Sequence, residues 1–362
     1  MEERFCTREN IEGRLVKDIN SLEDVSNVIL NNSAIQESNP ESYVMDPRNG
    51  KAIIYNPSRL KRLSEKGNVE EKSKNENCII CDGKDKLPVF MTRDLDSRGY
   101  NGDPNLCFIG PNLFPHVGPQ KVPCLDSPSK DSLQGAQYIL WVSNQHTDID
   151  EMSYDDNYLV LSTASDFMER LSKSKEQLFF QFVKNKGKVV GGSVVHGHYQ
   201  GSALPFRSNR NLEDIRFEAN NGESFANYIL NENPNSFEIK DYGSVVSLVP
   251  CCAMKKPLDV LVLPKNTSKI NLYDLDEREL FELGAALTDI TKAWSVMLPS
   301  IGKEFAYNLE FHLGNPGMYI EALPYTQETG GFENMDIYVC QSSPKLAAEF
   351  YKKTYDKLGL FK

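Results

Sequence analysis

One pattern constrains the fold more than any other: strand pair, helix, strand pair is written twice into the chain, in the same order. Apolar and β-branched runs at 106–109 and 136–142 read as strands, and 153–172 has helical periodicity through Leu159, Leu161, Phe167 and Leu171. Strand-like runs at 177–183 and 189–195 close the first cycle. The second cycle reads as strands at 245–249 and 259–263, a helix at 275–298, and strands at 306–311 and 318–323. A polar, Asn-rich connection over roughly 205–236 joins them, so the chain is α+β, in two related halves. Ahead of the first cycle, 43–55 reads as a hairpin, because Asp46-Pro47 and Asn49-Gly50 are turn punctuation. Residues 1–40 read as a polar N-terminal extension with a weakly helical stretch at 22–30; the highly charged 61–77 reads as a mobile loop and 345–357 as a short amphipathic helix.

At 362 residues there is chain enough for two halves with real cores. A net charge of −11 argues against broad binding to nucleic acid or anionic membranes, but a small anionic substrate needs only a local basic patch. No apolar run approaches the length that spans a bilayer, and Met1-Glu2-Glu3-Arg4 leads into polar sequence, without the look of a signal peptide. Eight cysteines in such a chain read as thiols or metal ligands, and a reducing cytoplasm is the expected home.

The chemistry concentrates in Gly191-Gly192-Ser193-Val194-Val195-His196-Gly197-His198-Tyr199-Gln200. Read as a strand, this run presents His196, His198 and Gln200 on one face. One imidazole could then hold a metal or a neighbour while the other attacks an electrophile, since much of it is unprotonated near neutral pH. Two histidines with ordinary hydrogen bonds would give the same spacing. Cys78-Ile79-Ile80-Cys81 can supply two thiolates to a tetrahedral zinc, the remaining ligands coming from elsewhere; a redox dithiol and inert thiols are the rivals. The run Lys184-Asn185-Lys186-Gly187-Lys188 gathers positive charge with turn residues suited to a nucleoside or phosphate, and equally suited to a solvated turn. Arg59-Leu60-Lys61-Arg62 is a second basic cluster, able to grip a phosphate or simply to face solvent.

In their order along the chain, the hairpin, Pro57-Ser58-Arg59, the C-x-x-C, Asn112-Leu113-Phe114-Pro115, His146, the K-N-K-G and the H-x-H-x-Q resemble the galactose-1-phosphate uridylyltransferase family, the transferase branch of the histidine-triad superfamily. The resemblance covers roughly 43–350. It implies two histidine-triad-like halves, each an antiparallel sheet with a packed helix: an extension at 1–40, a first half at 41–215 and a degenerate second half at 216–362. It implies a structural zinc on Cys78, Cys81, His146 and His196, His198 as the nucleophile that becomes nucleotidylated, and Gln200 as hydrogen-bond partner of the reacting phosphate. Asn112, Asn185 and Ser193 match nucleotide-binding residues, Arg59 and Arg62 phosphate-binding ones, and Glu333 a glutamate that holds sugar hydroxyls.

The activity so implied moves a nucleoside monophosphate, with UMP favoured, between sugar 1-phosphates, as in galactose metabolism, in a homodimer that shares sugar-binding residues between chains. An ADP-sugar or dinucleotide phosphorylase would use the same histidine, and a zinc-bound nucleotide sensor would need neither His198 nor Gln200. The chain also departs from the family. Gly197 stands for the proline of H-P-H, and His116 for a small apolar residue beside the expected nucleotide pocket. His312 remains of a second metal site, with Gly317 and Tyr319 where other ligands stand, so that site reads as lost. Gln341 is the candidate for the family's downstream amide.

Overall fold

The computed structural model describes residues 6–32, 42–45, 52–55, 78, 80–81, 86–97, 105–118, 134–175 and 177–361. In chain order the elements are α1 (Arg8–Glu12), α2 (Leu22–Leu30), β1 (Ser42–Met45), β2 (Ala52–Tyr55), β3 (Met91–Asp94), β4 (Leu106–Pro111), β5 (Ala136–Trp141), α3 (Tyr154–Ser172), β6 (Phe179–Lys186) and β7 (His198–Leu204). There follow α4 (Asn209–Asn221), α5 (Phe225–Glu232), β8 (Glu238–Asp241), β9 (Val245–Leu248), β10 (Val260–Pro264), α6 (Glu277–Ser300), β11 (Tyr307–His312), β12 (Tyr319–Pro324) and α7 (Pro344–Leu358). Strands β3 to β12 form an antiparallel sheet in the order β3-β4-β5-β7-β6-β11-β12-β10-β9-β8, and β1 pairs with β2 as the hairpin the turn residues predict. The α+β class read from the sequence is the class observed.

By packing, the chain sorts into two compact units, one of Met1–His146, Thr163–Gln181 and His198–Leu212, the other of Thr147–Ser162, Phe182–Gly197 and Glu213–Lys362. In the first, apolar residues alternate badly with polar ones because β4 and β5 are covered on both faces: Leu106, Cys107, Ile109, Tyr138 and Leu140 are all buried. Phe167 of α3 stacks on Phe90 at 6.0 Å and meets Tyr138 edge-on at 4.9 Å. Gly201 lies opposite Tyr138 in the β5–β7 register, and a Cβ there would sit 2.1 Å from the tyrosine ring. The residue must be glycine for the ring to lie across the strand.

The second unit is organised by α6, whose start is fixed by a capping box between Asp276 and Glu279. Its fully buried Trp294 packs on Tyr307 at 5.2 Å and donates to Tyr351 Oη of α7 at 2.5 Å. The helix also carries Asp289 into the interior, where Tyr154 Oη (2.5 Å), Tyr242 Oη (3.0 Å) and Lys240 Nζ (2.9 Å) all reach it. A buried carboxylate needs such a set of donors to be tolerated.

Two segments differ from the sequence reading. The run 189–195 is not a strand: a 3-10 turn spans Lys188–Val190, and irregular chain continues to Gly197. Gly187 and Gly191 adopt φ of 97° and 92°, which turns the chain out of the ladder despite its β-branched residues. His196 therefore precedes β7 instead of sharing a strand with His198. The polar connection at 205–236 contains α4 and α5, the latter seated by Ala226 and Ile229 on Val246, Leu248, Leu261 and Leu263. The N-terminal segment is less polar in effect than in composition, since Ile11, Ile19, Leu22, Val25 and Ile29 are buried. No described helix is long and apolar enough to cross a membrane.

Candidate functional site

Cys78, Cys81, His146 and His196 come together with their ligand atoms all within 4.8 Å of one another. Cys81 Sγ stands 3.4 Å from His146 Nδ1, and the Cys81 backbone N–H points at Cys78 Sγ at 3.5 Å, the mark of a tight C-x-x-C knuckle. Two thiols and two imidazoles so gathered can hold a metal ion. The set joins three sequence signals that lie far apart, and His196 belongs to it because the chain leaves the sheet before β7 begins.

His198 opens β7, opposite Trp141, with the two rings 5.1 Å apart. Gln200 lies two residues on, opposite Ile139, and so on the same face of the strand. Both histidines are buried, at 1% exposure for His196 and 4% for His198.

Asn112 follows β4 and closes a local turn, its Oδ1 accepting from Phe114 N at 2.8 Å and its own N–H donating to Gln137 O at 3.2 Å. Gln137, which sequence reasoning missed, also accepts from His116 N through Oε1 at 2.8 Å and thus shapes the 112–116 turn. Its position on β5, with no pattern of its own, gave no signal. Asn185 sits on β6 opposite Asn308 of β11. The Asn308 amide, turned so that its nitrogen meets acceptors, donates to Asn185 Oδ1 at 2.9 Å and Val190 O at 3.3 Å. Ser193 is half-buried in the loop between β6 and β7. Arg59 and Arg62 lie outside the described residues, as does the charged stretch 61–77.

The lysines of the K-N-K-G run have a different employment from a phosphate patch. Lys184, almost wholly buried, reaches Asp148 Oδ1 at 2.5 Å, while Lys186 contacts Asp148 Oδ2 at 3.3 Å and Asp150 Oδ1 at 2.7 Å. Burial alone would push the Asp148 carboxyl up, but the two lysines outweigh it and hold it at about 2.

Glu333 is turned onto its own loop. Its Oε2 accepts from Gly330 N at 2.9 Å, and backbone N–H groups, its own first, hold the carboxyl below the usual glutamate range. Gln327 bridges the same loop, donating to Val339 O at 2.8 Å and accepting from Gln341 N at 3.2 Å. Phe332, Met335, Ile337 and Val339 are exposed around it.

At the expected second metal position a different group stands. Glu310, His312 and Glu321 bring donor atoms within 4.8 Å of one another, and Asp214 adds a fourth acidic or imidazole side chain. His312 Nδ1 faces Asp214 at 3.5 Å and Nε2 faces Glu321 at 3.5 Å, with the ring stacked on Tyr319 at 4.1 Å. Burial would lower the His312 pKa, yet the two carboxylates outweigh it and raise it to about 9. The ring thus has a carboxylate at each edge, a donor set that differs from one built of several histidines.

No family model matches the chain, and no curated protein matches it in sequence. Solved structures do match in shape. A uridylyltransferase superposes with TM-score 0.67 at 18% identity, covering 87% of this chain and 99% of its own. The chain has the uridylyltransferase fold. An ADP-glucose phosphorylase from Arabidopsis thaliana, with ADP-glucose bound, superposes with TM-score 0.63 over 87% of this chain and 99% of its own, also at 18% identity. A GalT-like protein from the same plant reaches TM-score 0.62 at 18% identity, over 77% of this chain and 92% of its own.

Proposed function

We propose that the protein is a nucleotidyltransferase acting on nucleotide sugars and sugar 1-phosphates through a covalent nucleotidyl-histidine on His198. The observation that carries the reading is a division of labour two residues wide: His196 joins Cys78, Cys81 and His146, whereas His198 opens β7 with Gln200 on its face. An imidazole whose lone pair is given to a metal cannot also be a nucleophile, so the two histidines need different surroundings.

A ring nitrogen of His198 attacks the α-phosphorus of a nucleoside diphosphate sugar as the bond to the sugar 1-phosphate oxygen breaks. The attacking nitrogen is the unprotonated one, so the ring keeps the proton on its other nitrogen, and a phosphorus–nitrogen bond holds the nucleotide on an imidazolium. An oxygen of a second sugar 1-phosphate then attacks phosphorus in line and returns the imidazole. Splitting one difficult transfer into two displacements is what a covalent intermediate offers. The Gln200 amide donates to the phosphoryl oxygen on which charge gathers. Asn112, Asn185 and Ser193 hold the nucleotide, Arg59 and Arg62 the phosphates, and Glu333 of a partner chain in a homodimer the sugar hydroxyls. The exposed apolar side chains around Glu333 favour such a partner.

The metal of the Cys₂His₂ group is zinc in this reading. A tetrahedral zinc site separates sulfur from nitrogen by roughly 3.6 Å, and 3.4 Å is found between Cys81 and His146. Bound there, it supplies rigidity to the chain entering β7. A reducing cytoplasm, where cysteines stay available to a metal, is the location that goes with this reading.

UMP is the favoured group. The ADP-glucose bound to one structure of the same fold supports a second reading, phosphorolysis of an ADP-sugar. Intact-mass measurement after separate incubation with UDP-glucose and ADP-glucose distinguishes them: an acid-labile adduct of UMP mass supports the first, of AMP mass the second. No adduct with either rejects the covalent histidine.

A further inference from the structure

His146 is delivered to the metal-binding group by a loop whose anchor is Asn144, two residues before it. Asn144 is fully buried, and all its polar groups are engaged. Its N–H donates to Leu106 O at 2.8 Å, and its Oδ1 accepts from Leu106 N at 3.1 Å. Its Nδ2 donates to Cys6 O at 2.9 Å, and its carbonyl accepts from Cys6 N at 3.3 Å. Leu106 begins β4 and belongs to the sheet; Cys6 belongs to the N-terminal segment. Neighbouring Ser143 reinforces the loop, donating through Oγ to Asn105 Oδ1 at 2.6 Å and accepting from Gln145 N at 2.9 Å.

The N-terminal segment does not stop at Asn144. Thr7 caps α1, Ile11 is buried, and the chain then runs beside 87–89, the stretch that follows the C-x-x-C. Arg14 O accepts from Val89 N at 2.9 Å, Val16 N donates to Val89 O at 2.8 Å, and Arg14 Nη1 donates to Leu87 O at 2.9 Å. A single strap of residues 6–16 therefore holds the loop that ends in His146 at one end and the stretch that leaves Cys81 at the other.

We propose that this strap is a brace for the metal-binding group and that Asn144 is its positioning residue, setting where the His146 imidazole stands relative to the two thiols. The proposal rests on the reading that Cys78, Cys81, His146 and His196 bind a metal. It adds that the N-terminal segment, outside the repeated strand–helix pattern, is part of what makes the site tight. Outer hydrogen-bond partners of metal ligands commonly change metal affinity 10- to 100-fold. The geometry here fixes the ligand through the backbone of its loop, and the consequence is of the same kind.

The test uses the full-length protein, with zinc affinity measured by chelator competition and the Co²⁺ spectrum read in parallel. Wild type takes up one Co²⁺ per chain with thiolate-to-metal charge-transfer and tetrahedral d–d bands. Asn144→Ala weakens zinc binding 10- to 100-fold and loses d–d intensity, as a loosened His146 lets water in. Ile229→Ala, a core truncation on α5, lowers thermal stability but leaves affinity and spectrum at wild-type values. Should Asn144→Ala not fold, Cys6→Pro serves in its place: it removes the N–H that the Asn144 carbonyl accepts, together with the buried thiol that faces Asn10 Oδ1. Wild-type affinity and spectrum in the folded Asn144 or Cys6 variant overturn the proposal, and so does an equal loss in Ile229→Ala. A wild type without charge-transfer bands overturns the metal reading itself, and the brace with it.

Discussion

Cys81 Sγ and His146 Nδ1 lie 3.4 Å apart although 65 residues separate them in the chain. Such a contact between two soft or borderline donors has little worth as a hydrogen bond; in the proposed zinc reading its value is as an edge of a coordination shell. Replacing Cys78 with Ser is expected to cut bound zinc from one per chain to well below that. It should lower Tm by roughly 3–4 °C, equivalent to about 2–3 kcal/mol in a chain of this size. Elemental analysis and calorimetry on the same preparation check both, and unchanged metal content would count against this ligand set.

His198 and Gln200 share a strand face but differ in what their loss removes. His198→Gly is expected to abolish the nucleotidyl adduct and all transfer, at a modest stability cost from the lost contact with Trp141. A preformed nucleoside phosphorimidazolide, entering the vacated space, should restore the second half-reaction. Gln200→Ala leaves the nucleophile in place and should slow both half-reactions by about 10- to 100-fold, the worth of one hydrogen bond to a charged group. Rapid-quench measurement of each half-reaction separates these outcomes. Wild-type transfer by His198→Gly would end the covalent mechanism.

The parts of this molecule legible in the sequence are those governed by local periodicity and by rare residues at fixed spacing. Long helices such as α3 and α6, and buried strands such as β4, β10 and β12, declare themselves by unbroken apolar pattern. The C-x-x-C and the H-x-H stand out by their spacing, and the family resemblance adds His146 to them. What the sequence hides is set by backbone geometry and by long-range pairing. Val189, Val194 and Val195 have the composition of a strand, yet the positive φ of Gly187 and Gly191 denies them a ladder. Lys184 and Lys186 read as a surface patch because their partners Asp148 and Asp150 lie some way back in the chain. Gln137, Asn144 and Asn308 act through hydrogen bonds made at isolated positions, which leave no periodic trace.

Gly201 illustrates how tightly β7 is fitted behind its catalytic candidates. A methyl group there would stand 2.1 Å from the Tyr138 ring, itself fully buried against Phe167. The ring has no room to withdraw, so the strand must. Gly201→Ala is expected to destabilise the protein by about 1–3 kcal/mol, or more if β7 shifts. It should also lower the rate of adduct formation by moving His198. Denaturant unfolding, read beside the single-turnover rate, checks the pair of effects; a fully stable, fully active variant would show that the strand is looser than its packing implies.

Asp259 offers a test by pH. It is buried; its Oδ2 accepts from the N–H groups of Lys255 (3.1 Å) and Lys256 (2.8 Å), and Oδ1 has no partner among the described residues. Burial first, and the nearby Glu321 carboxylate next, raise its pKa to about 7, against an ordinary 3.8; the backbone donors and the Lys255 charge offset this only in part. A carboxyl whose pKa is raised on folding binds its proton more tightly in the folded state. Between the two values the unfolded chain holds fewer protons, so the contribution of Asp259 to stability falls as pH rises from about 4 through 7. Integrated from pH 5 to pH 8, the loss comes to about 2–3 kcal/mol. Asp259→Asn keeps the shape and an acceptor for the backbone N–H groups, and it cannot ionise. The variant is therefore expected to gain on the wild type by that amount between pH 5 and pH 8, measured as the difference of two urea-unfolding series. Parallel pH profiles for the two proteins would mean that the carboxyl titrates in the fold as it does in the unfolded chain.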